Sequence, residues 1–277
     1  MRYIVDHDLH SHSYISPCSR DDRQTKQAIY AYALASGYKL MALTDHGWDT
    51  KVDDKGAVGW VGNNMDRLRE NLPLPQSKYC RFLMGCEIDM NRHGVFGLSP
   101  EERDRFEFII ASTSHLNLRH FTIDPETVGD DAASRKAYYQ KRLHTLLDME
   151  DLPFHKMGLA HFYTGNICNA EPIKCLSLFT ENDLRDIFEK VKARGMGVEL
   201  NFVPRAATAE DLEIVLRPHR VAKDVGCKFY LGGDAHHPER FAERRAEFET
   251  IVDLLDLRES DKWEFVPRMI AQETVGQ

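Results

Sequence analysis

The chain has 277 residues, with 36 Lys and Arg against 44 Asp and Glu, a formal net charge of −8, and 42% apolar and 29% charged residues. That composition is ordinary for a folded globular protein, and one α/β barrel over residues 1–277 accommodates the length without a second domain. The acidic balance argues against broad electrostatic binding of nucleic acid, and no apolar run approaches the ~20 residues of a membrane span.

The six cysteines, Cys18, Cys80, Cys86, Cys168, Cys175 and Cys227, form no CxxC pair. They are too scattered for a disulfide framework. Cys80, Cys86 and Cys227 sit in or beside apolar strands, where a thiol is buried as a small apolar group. Arg2 and Asp6 flank only a few apolar residues, so the N-terminus does not read as a signal peptide, and a cytoplasmic location is the expectation.

Strand one is predicted over Tyr3–Asp8, followed by His10 and His12. Alternate residues of a strand share a face, so Asp8, His10 and His12 point the same way. A helix is predicted over 22–36, ended by Gly37. Strand two covers 39–43 and ends in Thr44-Asp45-His46. The long stretch from Gly47 to Ser77 carries four early glycines and a helix near 64–71. It lacks the Gly-Lys-Ser/Thr of a phosphate loop. Strand three is Arg81–Met84, with Glu87 and Asp89 just beyond it. Strand four, 106–111, ends in Ser114-His115, and the insertion from Leu116 to Pro153 holds a helix near 131–149. Strand five, 157–160, ends in His161. A capped helix begins at Thr180 and stops before Gly195. Strand six is 197–201, a helix runs over 209–225 to Gly226, and strand seven is 228–231, followed by Gly232-Gly233-Asp234-Ala235-His236. Residues 238–257 read as helical, and the last ten or so carry no assignment.

Short apolar strands alternating with helices, without tight hairpins, predict parallel β/α units. Seven units with chemistry-bearing residues at successive strand ends predict a TIM-like barrel with its metal site at the C-terminal face of the strands. A doubly wound open sheet is the alternative, but it would hardly bring ligands from seven strands to one point. The candidate ligands are His10, His12, His46, Glu87, His115, His161, Asp234 and His236. Imidazole with carboxylate suits Zn, Mn or Fe(II). Eight donors exceed the needs of one ion, so a site of two or three divalent metal ions is expected. Any one of these residues alone is more simply a hydrogen-bonded histidine or a turn carboxylate. Their joint placement at strand ends is what points to metal.

Asp8-Leu9-His10-Ser11-His12, Thr44-Asp45-His46, Gly85-Cys86-Glu87, Ser114-His115, Ala160-His161 and Gly232-Gly233-Asp234-Ala235-His236 resemble the ordered motifs of the PHP superfamily (polymerase and histidinol phosphatase), over residues 4–238. The resemblance implies a distorted TIM-like (β/α)7 barrel and metal-dependent phosphoesterase activity. It implies that His10, His12, Glu87 and Asp234 hold one ion, that Glu87, His115 and His161 hold a second, and that His46 and His236 take part in a third. Asp234, Glu87 and His236 are then the catalytic candidates. Many trinuclear relatives carry a histidine where this chain has Cys18. Either the thiolate completes the third site, or Cys18 is a loop thiol and that site is weak.

Arg119, Arg205 and Arg20 are candidates to meet substrate phosphate. Asp8 and Asp45 are expected to orient neighbouring histidines, and His7 to be structural. His93, His120, His144, His155, His219 and His237 lack the strand-end position. The leading function is hydrolysis of a small-molecule phosphate ester, with histidinol phosphate as one sub-case. A nuclease would want a basic groove, and no Lys/Arg run provides one. A catalytically silent module is the third possibility. Substrate identity and oligomeric state are not written in these residues.

Overall fold

Most strands of this protein carry apolar residues on both faces, and the alternation along each decides what faces the centre. The computed structural model describes residues 1–52, 63–202 and 208–272. The strands are β1 (His7–Asp8), β2 (Leu40–Leu43), β3 (His46–Gly47), β4 (Arg81–Asp89), β5 (Phe108–Ser112), β6 (Met157–Leu159), β7 (Gly197–Leu200) and β8 (Lys228–Leu231). They are all parallel, in the order β1-β2-β4-β5-β6-β7-β8, with β3 beside β4. β2 and β3 keep one register against β4, Leu43 opposite Met84 and His46 opposite Glu87, so together they fill one position of seven. The sheet ends meet. The Leu9 N–H donates to the Leu231 carbonyl (2.8 Å), the Leu231 N–H donates to His7 Nε2 (3.0 Å), and Ser11 bridges Ala235. The TIM-like barrel expected from the alternation is therefore observed, and the open-sheet alternative is not.

Leu40, Ala42, Leu83, Phe108, Ile110 and Tyr230 pack together in the barrel interior. Their strand neighbours Met41, Leu43, Phe82, Met84, Ile109 and Phe229 join the larger core under the helices. The helices are α1 (Lys26–Ala35), α2 (Met65–Arg69), α3 (Pro100–Arg103), α4 (Ala132–Leu147), α5 (Pro172–Ser177), α6 (Glu181–Arg194), α7 (Ala209–Val225), α8 (Arg244–Leu254) and α9 (Phe265–Ala271). Side-chain caps set several starts: Thr25 for α1, Asp131 for α4, a Thr180/Asp183 capping box for α6 and Thr208 for α7. Among the described residues no helix is long and apolar enough to cross a membrane.

The structure differs from the sequence reading in several places, among them α3 and α5, which the reading did not place. The ladder of strand one is only His7–Asp8, because Tyr3 instead bonds to the Leu257 carbonyl. α1 starts at Lys26 rather than near 22, because Thr25 is extended and caps it. Strand three runs on to Asp89, since β3 and β5 both pair with its second half, so Glu87 lies inside a strand. The 238–257 helix divides into a 3-10 turn (Pro238–Phe241) and α8. The unassigned end contains α9. With it, Trp263 and Phe265 close the interior core, the Trp263 N–H donating to the Phe229 carbonyl (2.8 Å) and its indole N–H to the Gly195 carbonyl (3.0 Å). Gly56, Gly59 and Gly62 of the glycine-bearing stretch lie outside the described residues, as does Arg205.

Candidate metal centre

The interior face of β4 reads Leu83, then Gly85, then Glu87, by strict alternation. Hydrophobic filling therefore gives way to a carboxylate where the barrel opens. Glu87 is fully buried, and five imidazoles from four other segments close on its two oxygens. Nε2 of His10, His12 and His46 lies 3.1, 3.3 and 3.3 Å from Oε2. Nε2 of His161 and His115 lies 3.4 and 3.8 Å from Oε1. Asp234 adds a second carboxylate. Its Oδ1 is 3.3, 3.1 and 3.0 Å from Nε2 of His10, His12 and His236.

The far side of three of the rings meets an acceptor or hydroxyl. His10 Nδ1 meets Glu199 Oε1 at 2.6 Å, and His115 Nδ1 meets Asp89 Oδ1 at 3.1 Å. His161 Nδ1 meets Ser114 Oγ at 2.7 Å. Nδ1 of His12 and His46 faces Asp45 and Asp89, each at 4.0 Å. An outward Nδ1–H leaves the Nε2 lone pair for the centre, which is how proteins orient metal-binding imidazoles.

Close approach of these carboxylates explains the two glycines before Asp234. A side chain at Gly232 would collide with the Glu199 carboxylate, and one at Gly233 would come within 2.5 Å of Asp8 Oδ2. Asp234 itself has φ +49°, a left-handed conformation that Asp tolerates better than most residues. Its N–H donates to the His10 carbonyl (2.7 Å), which ties the Asp234 loop to the HxH segment.

Three groups of donors are close enough to share an ion: His10, His12, Glu87 and Asp234; His46, Glu87 and His115; and His12, Cys18 and His236. Within each group one ligand atom per residue lies within 4.8 Å of the others. The chemistry of this donor set fits divalent metal. Glu87 Oε1 is buried and accepts no hydrogen bond, and uncompensated burial of a carboxylate oxygen is costly without a cation. The first group coincides with the set implied by the PHP resemblance. His46 differs: its spacing joins it to Glu87 and His115, and Cys18 and His236 group with His12 instead.

Electrostatics point the same way. Burial opposes ionisation of Glu87 and Asp234, yet the surrounding imidazoles hold both carboxyls well below their ordinary range. Burial disfavours charge on His115 and His236, but Asp89 next to the first and Asp234 next to the second raise each to about 9. His10 is driven up against its own burial by Glu199, Asp234 and Glu87. Cys18 moves oppositely: burial would raise the thiol, but His12 and His46 pull it down to about 2. Without metal, His10, His12, His115 and His236 therefore favour the protonated form. Metal must displace those protons, so uptake strengthens as pH rises from 6 towards 9 and weakens below. Calorimetric titration of the metal-free protein with Zn(II) at pH 7, in buffers of different ionisation enthalpy, is expected to show release of about two protons or more per chain. Proton-neutral binding would contradict this account.

The eight strand-end candidates and Cys18 converge on one centre. Arg119 does not join them. It is an exposed surface residue, its side chain 58% accessible, and lies 3.8 Å from Asp130. Arg20 is exposed, two residues after Cys18. Asp45 lies near His12 but chiefly holds the Ser13 N–H and hydroxyl (both 2.6 Å) and the Asn71 amide (2.8 Å). Asp8 orients no ring. Its Oδ1 is taken up by the Gly233 and His10 N–H groups (2.7 and 3.2 Å), so that oxygen holds backbone rather than an imidazole. His7 is structural, bonded to Asp6 (2.8 Å) and Leu231. Sequence reasoning missed Glu199, whose only signal is a lone carboxylate in the apolar run Gly197–Leu200. It also missed Asp89 and Ser114 as ring partners.

No family model matches the chain, and no curated protein sequence does. Among solved structures, the histidinol phosphate phosphatase of Lactococcus lactis subsp. lactis Il1403, determined with zinc, L-histidinol and phosphate, is similar in fold. The two share 14% identity at a TM-score of 0.52, over 91% of this chain and 94% of that one.

Proposed function

We propose that this protein is a metal-dependent phosphoesterase acting on small phosphate esters. One observation carries the reading: five imidazoles aim Nε2 at the two oxygens of Glu87, three at Oε2 and two at Oε1. Glu87 and the imidazoles around it would hold two or three divalent ions of the Zn(II), Mn(II) or Fe(II) class. Bound metal would supply a hydroxide from water at neutral pH and neutralise the charge of a phosphoryl group. The similar fold of a histidinol phosphate phosphatase solved with zinc supports the same reading.

The chain's own residues do the positioning. Glu199, Asp89 and Ser114 hold the outer nitrogens of His10, His115 and His161, which fixes tautomer and ring direction. Asp234 Oδ1 gathers the imidazoles of His10, His12 and His236 within 3.3 Å. Arg20, exposed on the Cys18 loop, is the described arginine proposed to meet substrate phosphate. The net charge of −8 favours small esters over nucleic acid.

The test is a panel of phosphomonoesters, histidinol phosphate among them, with phosphodiesters and single-stranded oligonucleotides alongside. Metal-depleted protein is expected to be inactive, and added Zn(II) or Mn(II) to restore monoester hydrolysis. Protein that binds metal at the centre yet turns over nothing on the panel would remove the reading. Turnover confined to oligonucleotides would replace it with a nuclease.

A further inference from the structure

We propose that His12, Cys18 and His236 form a thiolate-bearing metal position that takes soft or borderline ions, such as Zn(II), Co(II) or Fe(II), and rejects Mg(II). The inference rests on the metal-centred function above and adds the ligand and the class of ion. Two imidazoles and a sulfur, mutually within 4.8 Å, are a donor set for such metals, whereas hard cations prefer oxygen.

Three features build the position. First, the segments carrying the ligands are stapled together. Ser19 Oγ donates to the His236 carbonyl (2.6 Å), and the His12 N–H and the Gln24 amide donate to the Ala235 carbonyl (3.1 and 3.2 Å). Second, the Cys18 loop is tightened by its own turns, Ser16 N–H to Ser13 O (3.1 Å) and Ser19 N–H to Ser16 O (3.0 Å). Third, the Ser16 hydroxyl faces the sulfur and is able to donate to a thiolate there. Its hydroxyl oxygen accepts the His46 N–H (3.2 Å) and lies 3.2 Å from Cys18 Sγ, so its own hydrogen can go to sulfur. A sulfur that accepts is suited to the ligating thiolate form. Cys80, Cys168 and Cys227 do the reverse, each donating S–H to a backbone carbonyl (3.6, 3.6 and 3.2 Å). All six cysteines are unpaired, and Cys18 is the one that is not buried.

That exposure supplies a direct assay. In the metal-depleted native protein a thiol reagent should modify one cysteine per chain quickly, and peptide mapping should place it at Cys18. Zn(II) should slow this reaction roughly tenfold or more, and Mg(II) should leave it unchanged. Co(II) should give a near-ultraviolet thiolate charge-transfer band. In Cys18→Ser the band should vanish and the metal content fall by about one ion per chain. Cys18→His should restore the lost ion without the band, which separates ligand loss from misfolding. If Zn(II) binds while Cys18 keeps its reactivity, and Cys18→Ser keeps both band and ion count, the thiolate site is wrong although the phosphoesterase reading stands. If the wild-type protein binds no metal at all, both are wrong.

Discussion

Glu87→Gln is expected to lower metal-dependent phosphoester turnover by roughly 10³-fold or more while leaving the barrel folded. The substitution keeps shape and volume but removes the charge that five imidazoles face. It also turns an amide N–H2 towards nitrogens that must offer lone pairs to metal. Two of the three donor groups include this residue, so both should weaken together. The measurement pairs elemental analysis with steady-state kinetics at saturating metal, and circular dichroism controls for folding. A variant with wild-type metal content and kcat would mean that Glu87 is a buried structural carboxylate. In that event the functional proposal loses its main support.

Glu199 carries the second large effect. It touches no candidate ligand atom at the centre, yet it holds two pieces of the centre in place. Its Oε1 meets His10 Nδ1 (2.6 Å) and its Oε2 accepts the His161 N–H (2.6 Å), from a fully buried position on β7. Glu199→Gln retains one acceptor for two donors. Metal affinity should fall by about 10–100-fold, the range found when a partner behind a metal-binding histidine is lost. Glu199→Ala strands both donors without water. It is expected to cost about 3–5 kcal/mol of stability as well, as breaking a buried charged pair does. Metal titration followed by thermal unfolding with and without Zn(II) reads both. Unchanged metal affinity in Glu199→Gln would show that His10 needs no orienting partner.

Much of this centre was legible before any coordinates. A strand signals itself by a short apolar run, and the residue after it lies at the C-terminal end of the barrel by construction. His10, His12, His46, His115, His161, Asp234 and His236 were therefore assignable to one face from chain order alone. Glu87 was assignable as well, although it lies within β4 rather than beyond it, because alternation from Leu83 puts it on the interior side in either case.

The remaining features depend on contacts between distant segments. Glu199 sits in an ordinary strand, and only closure of the barrel brings β7 opposite the HxH segment 189 residues earlier. Gly232 looks like a turn residue until the Glu199 carboxylate fills the space a side chain would need. The segment from Trp263 onward is short and interrupted by Pro267, so local pattern gave it no assignment. It acquires a place because the interior core formed by Phe108 and Tyr230 needs a cover. The sequence by itself determined the strand order, the barrel and the identity of most donors, since these follow from local periodicity. Only the tertiary structure decided which imidazole faces which carboxylate oxygen, and that Cys18 turns its sulfur towards two histidines, since those depend on loops whose paths are set by bonds to remote backbone.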